Sequence, residues 1–327
     1  MKDLTICMGV YNGEQWLDES VGSVLGQKYG DFDFIILEDC STDNSLEKLK
    51  SFKDDRIKLL PQEKNVGFSH LKMLQAVNTE YVMFIDQDDR FRRDDAFGHS
   101  LELIKSNNYD FVNFTCETEV NEDGSTFENR GKLYGDFSYC GDRLFEKFYP
   151  ADNHYIFHSK IFRTELVKKS APWSMYGIKG KYTNGDMFYA AMWWFLGRRY
   201  LNIATDDPIY EYKNYTGVWG KKRRDCSPER IGKLCLTLYT VMTSLYNRMT
   251  AVRGLNTTEI SNLINGVNLP MICKLIKGAR MHFGDEYGDR LLKVFHAAFC
   301  ADGVHVFNGL DQFAYPDYVR FLEDMMK

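Results

Sequence analysis

The sequence predicts an α/β protein in which a mostly parallel β-sheet is flanked by helices and followed by an all-helical C-terminal region. Three observations predict this class. Short apolar runs alternate with helical patterns over about the first 115 residues, as in a parallel sheet with helical crossovers. One such run, Tyr81–Asp89, ends in three carboxylates within four residues. From Ser227 onward, apolar residues recur at helical spacing.

Five apolar runs near the N-terminus have the length and composition of buried strands. They are Leu4–Met8, Phe32–Leu37, Ile57–Leu60, Tyr81–Ile85 and Phe111–Cys116. Helices are predicted between them, and Asn12 is a candidate N-cap for the first. The buried stripe of that helix is Leu17, Val21, Val24 and Leu25. The next two helices follow the polar turn Ser41–Ser45 and the segment Asn65–Ser69.

After about residue 116 the sequence predicts strands and helices that alternate less regularly. These are a turn between polar strands at Glu122–Ser125, a strand or strand–helix junction at Tyr155–Arg163, helices at Thr164–Lys169 and Asp186–Leu196, and a further strand into which Ile203–Thr205 leads. Trp193 and Trp194 in the second helix are expected to be core residues.

The change of pattern near residue 220 predicts two domains. Residues 1–220 would form the α/β domain, with halves at about 1–115 and 116–220. Residues 227–327 would form the helical C-terminal region, which opens with Ser227 as N-cap and Pro228 in the first turn.

Composition narrows the class of function. With 327 residues and a net charge of −5, the chain has no general preference for nucleic acid. Its 44% hydrophobic content is that of a soluble globular protein. No window approaches the run of about 18 apolar residues that a membrane span requires, and the N-terminus lacks the apolar stretch of a signal peptide. The eight cysteines have no metal-ligand spacing, so we expect reduced thiols in a cytoplasmic protein.

Carboxylates stand at the ends of two predicted strands. Glu38 and Asp39 end the second strand, and Asp86 and Asp88 end the fourth. Because the carboxyl ends of parallel strands share one edge of a sheet, we expect these side chains to converge in one crevice. Carboxylates together with phosphate oxygens are ligands that suit Mg²⁺ or Mn²⁺. A solvated, Asp-rich turn is the alternative interpretation of residues 86–89.

Four blocks carry a resemblance to a known family. They are Val10–Gly13 (V-Y-N-G), Glu38–Ser45 (E-D-C-S-T-D-N-S), Asn65–Gly67 (N-V-G) and Phe84–Asp89 (F-I-D-Q-D-D). In order and spacing they resemble the inverting family 2 glycosyltransferases, which have the GT-A fold. A weaker similarity continues through Ser159–Leu166, Asn184–Asp186 and Pro208–Tyr212, so the resemblance covers about two thirds of the chain and none of the helical C-terminus.

The resemblance implies a nucleotide-sugar site, a metal ligand and a general base. The residues that would bind the nucleotide-sugar are Val10, Tyr11, Asn12, Glu14, Asp39, Gly67, Lys72, Asp86 and Gln87. Within this set, Tyr11 and Asp39 would contact the nucleobase and Asp86 would lie near the ribose. Asp88 would hold Mg²⁺ or Mn²⁺, and Asp186 would deprotonate the acceptor hydroxyl.

Ordinary structural roles are the alternatives at several of these positions. Asp39 and Asp186 could each cap a helix, and Lys72 could be a solvated helix residue. The basic run Lys221–Arg224, which falls where a mobile loop often closes on the diphosphate in this family, could be a solvated linker. His154 and His158, which flank an aromatic run, are expected to pack or lie on the surface rather than bind metal.

The resemblance implies a metal-dependent inverting glycosyltransferase. It would move a sugar from a nucleotide-sugar, a UDP-sugar in the first place and a TDP- or GDP-sugar otherwise, to a hydroxyl of a glycan or lipid-linked acceptor. Contact with the inner face of the membrane and homo-oligomerisation through the helical C-terminus are left open.

Three departures from the family pattern support a second hypothesis. Gly9, Cys40 and Gly185 replace the usual proline, glycine and acidic residue. The protein could therefore be a catalytically silent scaffold or sugar-nucleotide-binding protein. A nucleotidyltransferase is disfavoured because the segment Gly9–Gly13 lacks a basic residue for a triphosphate.

Overall fold

A computed structural model provides the structure of the protein. It describes residues 2–63, 69–130, 135–148, 157–171, 185–204 and 206–216, and from the remainder residues 249, 276–277, 280–281, 284–290 and 292–293. The chain divides into two compact units. The first contains residues 1–171, 178–181 and 193–221, and the second contains residues 172–177, 182–192 and 222–327. All strands of the described part belong to the first unit.

The N-terminal alternation of strands and helices predicted from the sequence is present. Its elements are β1 (Leu4–Val10), α1 (Leu17–Leu25), β2 (Phe32–Glu38), α2 (Ser45–Ser51), β3 (Ile57–Pro61), α3 (Ser69–Ala76), β4 (Tyr81–Asp86), β5 (Arg90–Phe91) and α4 (Ala96–Ser106). The apolar spacing explains the first helix, because Leu17, Val21 and Val24 are buried on one face.

The elements that follow are shorter and more mixed. They are β6 (Phe111–Phe114), β7 (Cys116–Val120), β8 (Thr126–Arg130), β9 (Phe137–Cys140), α5 (Leu144–Phe148), β10 (Lys160–Arg163), α6 (Thr164–Ser170), α7 (Gly185–Leu196), β11 (Arg199–Ile203) and β12 (Tyr210–Lys213). None of the described helices combines the length and the apolar composition that a bilayer crossing requires.

An eight-stranded sheet forms the centre of the first unit, in the order β3-β2-β1-β4-β10-β6-β11-β9. The strands β3, β2, β1 and β4 are parallel neighbours, as are β6 and β11. The prediction of a mostly parallel sheet is therefore confirmed. Strand β10 runs antiparallel to both β4 and β6. It therefore begins at the edge where β1, β2 and β4 end.

A second sheet of four strands has the order β5-β12-β7-β8. The turn predicted at Glu122–Ser125 joins β7 to β8, where the backbone N–H of Asn121 donates to the carbonyl of Ser125. Strand β12 pairs with β5 on one side and β7 on the other. This sheet therefore joins the segment directly after β4 to residues more than a hundred positions later.

The core of the described part lies between the large sheet and its helices. Its fully buried members include Leu4, Ile6, Met8, Val21, Val24, Phe32, Phe34, Ile36, Met83, Phe97, Ile104, Val112 and Ile161. A separate aromatic group surrounds Trp193 and Trp194, which are both fully buried. Trp194 packs edge-on against Phe111 at a centroid distance of 5.1 Å. Both tryptophans are core residues, as the sequence predicted.

Three sequence predictions about local structure are wrong. The predicted strand 111–116 is two strands in different sheets. Thr115 separates them, and its N–H and hydroxyl both donate to the carbonyl of Ile203. Ile203, predicted to lead into a strand, is itself the last residue of β11. Asn12 does not cap the first helix, which begins five residues later at Leu17; its side chain bonds to Thr42 instead.

The predicted helical region 227–327 lies largely outside the described residues. Those described within it are helical, except Gly284. The domain boundary near residue 220 stays a prediction.

Truncating the central strand should destabilise the first unit strongly. Ile6→Ala removes a fully buried side chain from β1, which has strands on both sides. We expect a loss of about 2–5 kcal/mol in the free energy of unfolding, measured by urea denaturation followed by circular dichroism. Gln75→Ala on the exposed face of α3 is the control, with an expected change within about 0.5 kcal/mol. Equal effects of the two changes would contradict the packing described above.

Candidate active site

The candidate site lies at the edge of the large sheet where three parallel strands end. The order β2-β1-β4 places the end of β1 between those of the other two strands. Val10 pairs with Glu38 on one side, and Gly9 pairs with Asp86 on the other. Segments that leave such an edge carry the ligand contacts of open α/β sheets. The motif residues after these three strands are therefore neighbours, as the sequence predicted.

The segment after β1 is held from the β4 side by Gln87. The backbone N–H of Tyr11 donates to Gln87 Oε1 at 2.8 Å, and Gln87 Nε2 donates to the carbonyl of Tyr11 at 3.1 Å. A β-carbon at Gly13 would collide with this amide. The side chain of Tyr11 is left exposed, at 42%. A flat aromatic ring is thus presented at the end of the central strand.

The same segment is held from the β2 side by the polar loop after Glu38. The N–H of Asn12 donates to Ser41 Oγ at 3.0 Å, and that of Gly13 donates to Ser45 Oγ at 2.9 Å. In return, Asn12 Oδ1 accepts the N–H of Thr42 at 2.7 Å. Asn12 adopts a φ of 52°, which asparagine tolerates better than most residues. Two of the sequence blocks therefore form one hydrogen-bonded structure.

Glu14 extends this structure toward helix α2. Its N–H donates to Asp43 Oδ2 at 3.2 Å, and its carboxylate accepts the N–H of Asn44 at 3.2 Å. A pocket of about 370 Å³ is lined by Glu14, Gln15, Asp43 and Lys48. The Lys48 ammonium donates to the Glu14 carbonyl at 2.9 Å. Glu14 therefore organises the loop in addition to any contact with a ligand.

Glu38 and Asp39 at the end of β2 are both buried, at 2% and 8% exposure. Glu38 accepts the N–H of Ser41 at 2.6 Å, and the N–H of Asp39 donates to the Val10 carbonyl at 2.8 Å. The carboxylate at the start of α2 is that of Asp43, which accepts the N–H of Ser45 at 3.0 Å. Asp39 is thus six residues before the helix and is not its N-cap.

Cys40 preserves the backbone conformation that glycine would provide. Its φ is 59°, in the left-handed region that glycine adopts at no steric cost. The thiol donates to the carbonyl of Gln62 at 2.9 Å. The substitution therefore leaves the turn after β2 in the form that a glycine there would allow.

The acidic run after β4 contains carboxylates in contrasting environments. The Asp86 side chain is 59% exposed, whereas Asp88 and Asp89 are 8% and 1% exposed. The Asp88 carboxylate accepts the hydroxyl of Thr216. Burial and the negative charge of Asp86 raise the pKa of Asp88. This electrostatic conflict would be relieved by a cation at the run.

Asp89 is the structural member of the run. Its carboxylate accepts the hydroxyl of Tyr210 at 3.0 Å and the N–H of Lys213 at 2.9 Å. Burial and the charges of Asp86 and Asp88 raise the pKa of Asp89 well above its usual range. Strand β12 therefore fixes the direction in which the chain leaves β4.

His158 is a site residue that sequence reasoning missed. It is 4% exposed, with Nε2 3.0 Å from Glu117 Oε2 and Nδ1 3.8 Å from Asp86 Oδ2. Burial alone would lower the pKa of His158, but the charges of Glu117 and Asp86 outweigh it and raise the pKa to about 10. Desolvation of the Asp86 carboxylate would raise its pKa, but its interaction with His158 outweighs this effect and lowers the pKa. His154 lies outside the described residues.

The donor set of this cluster fits a hard divalent cation. Asp86, Asp89 and His158 have potential ligand atoms within 4.8 Å of one another, and Asp88 is next to them in sequence. Carboxylate oxygens suit Mg²⁺ and Mn²⁺. The imidazole is a poorer candidate for these two ions, because they prefer oxygen ligands to nitrogen. The oxygen ligands of the acidic run are thus the better match.

The structure describes only some of the remaining residues that the sequence predicted for the site. Lys72 on α3 is half-buried and its ammonium contacts Gln62 Oε1. Gly67 and Lys221–Arg224 lie outside the described residues. Asp186 is the second residue of α7, inside the helix rather than at its cap, and its side chain is outside the described part. The structure therefore brings together the residues after β1, β2 and β4.

Comparison with known proteins gives a consistent family. Residues 5–170, half of the chain, match the sequence model of the family described as Glycosyl transferase family 2. Glycosyltransferase GlyA of Streptococcus pneumoniae serotype 4 is 32% identical over 178 residues, which are 53% of this chain and 24% of that protein. The Escherichia coli UDP-Glc:α-D-GlcNAc-diphosphoundecaprenol β-1,3-glucosyltransferase WfgD is 30% identical over 118 residues, 34% of this chain and 47% of that protein. The chain thus spans less than half the length of these relatives.

A solved structure supports the fold. Residues 1–349 of S. aureus TarS, in complex with UDP-GlcNAc, superpose with a TM-score of 0.68 at 17% identity, covering 98% of this chain and 90% of that one. At this identity the likeness establishes the GT-A fold.

The left-handed backbone at Asn12 gives a test of the loop after β1. Asn12→Gly and Asn12→Ala both remove the acceptor for Thr42, but only alanine is strained at a φ of 52°. We expect the alanine variant to be less stable by about 1 kcal/mol, measured by urea unfolding. At the exposed Asn107, where φ is −139°, the order should reverse. The same order at both positions would show that the loop does not hold this conformation.

Proposed function

The chain belongs to glycosyl transferase family 2, and from that premise we propose that it transfers a sugar from a UDP-sugar to a hydroxyl of a glycan or lipid-linked acceptor, with inversion at the anomeric carbon. That it is a glycosyltransferase follows from the family. The observation that carries the finer proposal is the convergence of Tyr11, Asp39 and the acidic run Asp86–Asp89 at one sheet edge.

The nucleoside of the donor would bind at the ends of β1 and β2. The exposed ring of Tyr11 offers a stacking surface for a flat base. The neighbouring Asp39 carboxylate can accept a hydrogen bond from the imino N–H of uracil. Asn12, Glu14 and Gln87 would act chiefly by holding this loop in place. The UDP-sugars named for TarS and WfgD support the same class of donor.

The diphosphate would bind in front of the acidic run. We assign Asp88 as the protein ligand of Mg²⁺ or Mn²⁺, with Asp86 toward the ribose and Lys72 near the base and diphosphate. Gly67 is proposed as a further nucleotide-sugar-binding residue. When bound, the cation would supply Lewis-acid stabilisation of the departing diphosphate. The raised pKa of Asp88, caused by burial and by Asp86, supports a cation partner. Thr216 would orient the Asp88 carboxylate through its hydroxyl.

Asp186 is proposed as the general base. The acceptor hydroxyl would give its proton to the Asp186 carboxylate as its oxygen forms a bond to the anomeric carbon. The bond from that carbon to the β-phosphate oxygen breaks in the same step, and UDP leaves with the electron pair. One displacement through an oxocarbenium-like transition state inverts the anomeric configuration.

The acceptor and location are proposed from the relatives and the composition. The lipid-linked acceptor in the printed name of WfgD supports a glycan or lipid-linked hydroxyl here. Such an acceptor would bring a cytoplasmic enzyme to the inner face of a membrane. The thiols of Cys7, Cys40 and Cys140, which form no disulfide in the described part of the chain, are consistent with a reducing compartment.

Donor binding and metal dependence can be tested together. We expect calorimetry to show UDP binding that strengthens when Mn²⁺ is added, because the cation links the diphosphate to the acidic run. Asp88→Asn should remove this metal-dependent part, and a chelator should stop nucleotide release from a panel of sugar nucleotides. Undiminished turnover in chelator would overturn the metal assignment. Absence of metal-dependent heat would favour the silent-scaffold hypothesis.

The general base can be tested separately. Asp186→Asn should lower kcat by about 100- to 10,000-fold while the dissociation constant for UDP with Mn²⁺ stays near the wild-type value, because only the proton acceptor is lost. Glu165→Gln, which changes an exposed acid on α6, is the control and should leave both values unchanged. Parallel loss of UDP affinity and turnover in Asp186→Asn would contradict the base assignment.

A further inference from the structure

Gln62 lies directly after β3, beside the turn that carries Asp39. In the register of β2 with β3, Glu38 pairs with Pro61, so Gln62 follows at the level of this turn. The N–H of Gln62 donates to the carbonyl of Glu38 at 3.0 Å. Its own carbonyl accepts the thiol of Cys40 at 2.9 Å. The backbone of Gln62 is therefore bonded to the residues on both sides of Asp39.

The side chain of Gln62 contacts a lysine on helix α3. Gln62 Oε1 accepts a hydrogen bond from the ammonium of Lys72, and both residues are half-buried. Desolvation and the nearby carboxylates raise the pKa of the Cys40 thiol, whereas the positive charge of Lys72 acts in the opposite direction. Lys72 therefore lies close to the turn after β2. Gln62 connects this turn, through its backbone, to Lys72, through its amide.

The amide that Lys72 contacts is a neutral partner. Other lysines of the first unit pair with carboxylates, as Lys58 does with Asp33, and such a pair cancels most of the local charge. Within the described part of the chain, Lys72 forms no ion pair of this kind. An amide oxygen can orient an ammonium group without cancelling its charge. A long, flexible side chain is thus restrained while its positive charge stays available for an anion.

We propose that Gln62 is a positioning residue of the donor site: anchored beside Asp39 by its backbone, it directs the ammonium of Lys72 toward the donor diphosphate through its side-chain amide. This inference rests on the proposed function, in which Asp39 accepts the imino N–H of uracil and Lys72 lies near the base and diphosphate. An ammonium group whose charge no carboxylate has cancelled attracts the anionic diphosphate more strongly. Gln62 itself touches neither the diphosphate nor the cation in this arrangement, and it acts through Lys72.

The first test is a double-mutant cycle on UDP binding, measured by calorimetry with Mn²⁺ present. Gln62→Met keeps the length of the side chain and the backbone contacts but removes the amide, so we expect the affinity for UDP to fall by about 10-fold. Lys72→Met should lower the affinity at least as much. Adding Gln62→Met to Lys72→Met should cause no further loss, because Gln62 acts through Lys72.

Gln75→Met, on the exposed face of the same helix, is the matched control and should leave the affinity for UDP unchanged. The inference is overturned if Gln62→Met causes no loss of affinity in the otherwise wild-type protein. It is also overturned if Gln62→Met causes the same loss with and without Lys72, because Gln62 would then act by another route.

A second readout separates this inference from the proposed function. Urea unfolding is measured without ligand for Gln62→Met, Lys72→Met and the double variant. If the amide holds the ammonium group, removing one partner diminishes the effect of removing the other. Strictly additive effects on the free energy of unfolding would overturn the positioning role. If the wild-type protein binds no UDP with Mn²⁺, the proposed function fails, and the unfolding cycle still decides whether Gln62 holds Lys72.

Discussion

The acidic run Asp86–Asp89 at the end of β4 is the constraint on which the surrounding structure depends. At an effective dielectric constant of about 20, two unit charges at 4 Å interact by about 4 kcal/mol, a large share of the roughly 5–15 kcal/mol that stabilises a domain. Three carboxylates within four residues therefore cannot all be buried and charged without partners. The structure resolves the conflict by treating each differently, with Asp86 exposed and paired, Asp88 bonded to Thr216, and Asp89 enclosed by Tyr210 and Lys213.

The second sheet and the residues that follow it supply the hydrogen-bond partners of Asp88 and Asp89. Strand β12 supplies Tyr210 and the Lys213 N–H to Asp89, and Thr216 shortly after it reaches Asp88. Strands β5 and β12 are also joined by an ion pair, in which Arg90 on β5 donates two hydrogen bonds of 2.8 Å to Glu211 on β12. The strand break at Thr115 makes this possible, because it lets one continuous segment pair with β10 and β11 and then with β12. A single strand from 111 to 116 would have left the run without these partners.

The sequence predicts local strand ends well and distant partners poorly. The neighbourhood of Asp39, Asp86 and the segment after β1 could be predicted, because parallel strands end at a common edge whatever their crossovers contain. His158 could not, since its place beside Asp86 depends on β10 entering the sheet antiparallel between β4 and β6. The proposed N-cap at Asn12 failed for a related reason. Its local pattern suits a cap, but the loop after β2 offers Thr42 as a long-range partner.

The departures from the family pattern can now be weighed against the silent-scaffold hypothesis. Cys40 weakens that hypothesis, because it adopts the left-handed conformation that the usual glycine would supply, and its thiol joins the turn to Gln62. A protein without a ligand at this edge would also have little reason to keep both Asn12 and Ser159 in the left-handed backbone region, or to keep the ring of Tyr11 exposed. A buried histidine directed at the most exposed carboxylate of the run adds to this. The common location of these features at one sheet edge favours a binding and catalytic role over a purely structural one.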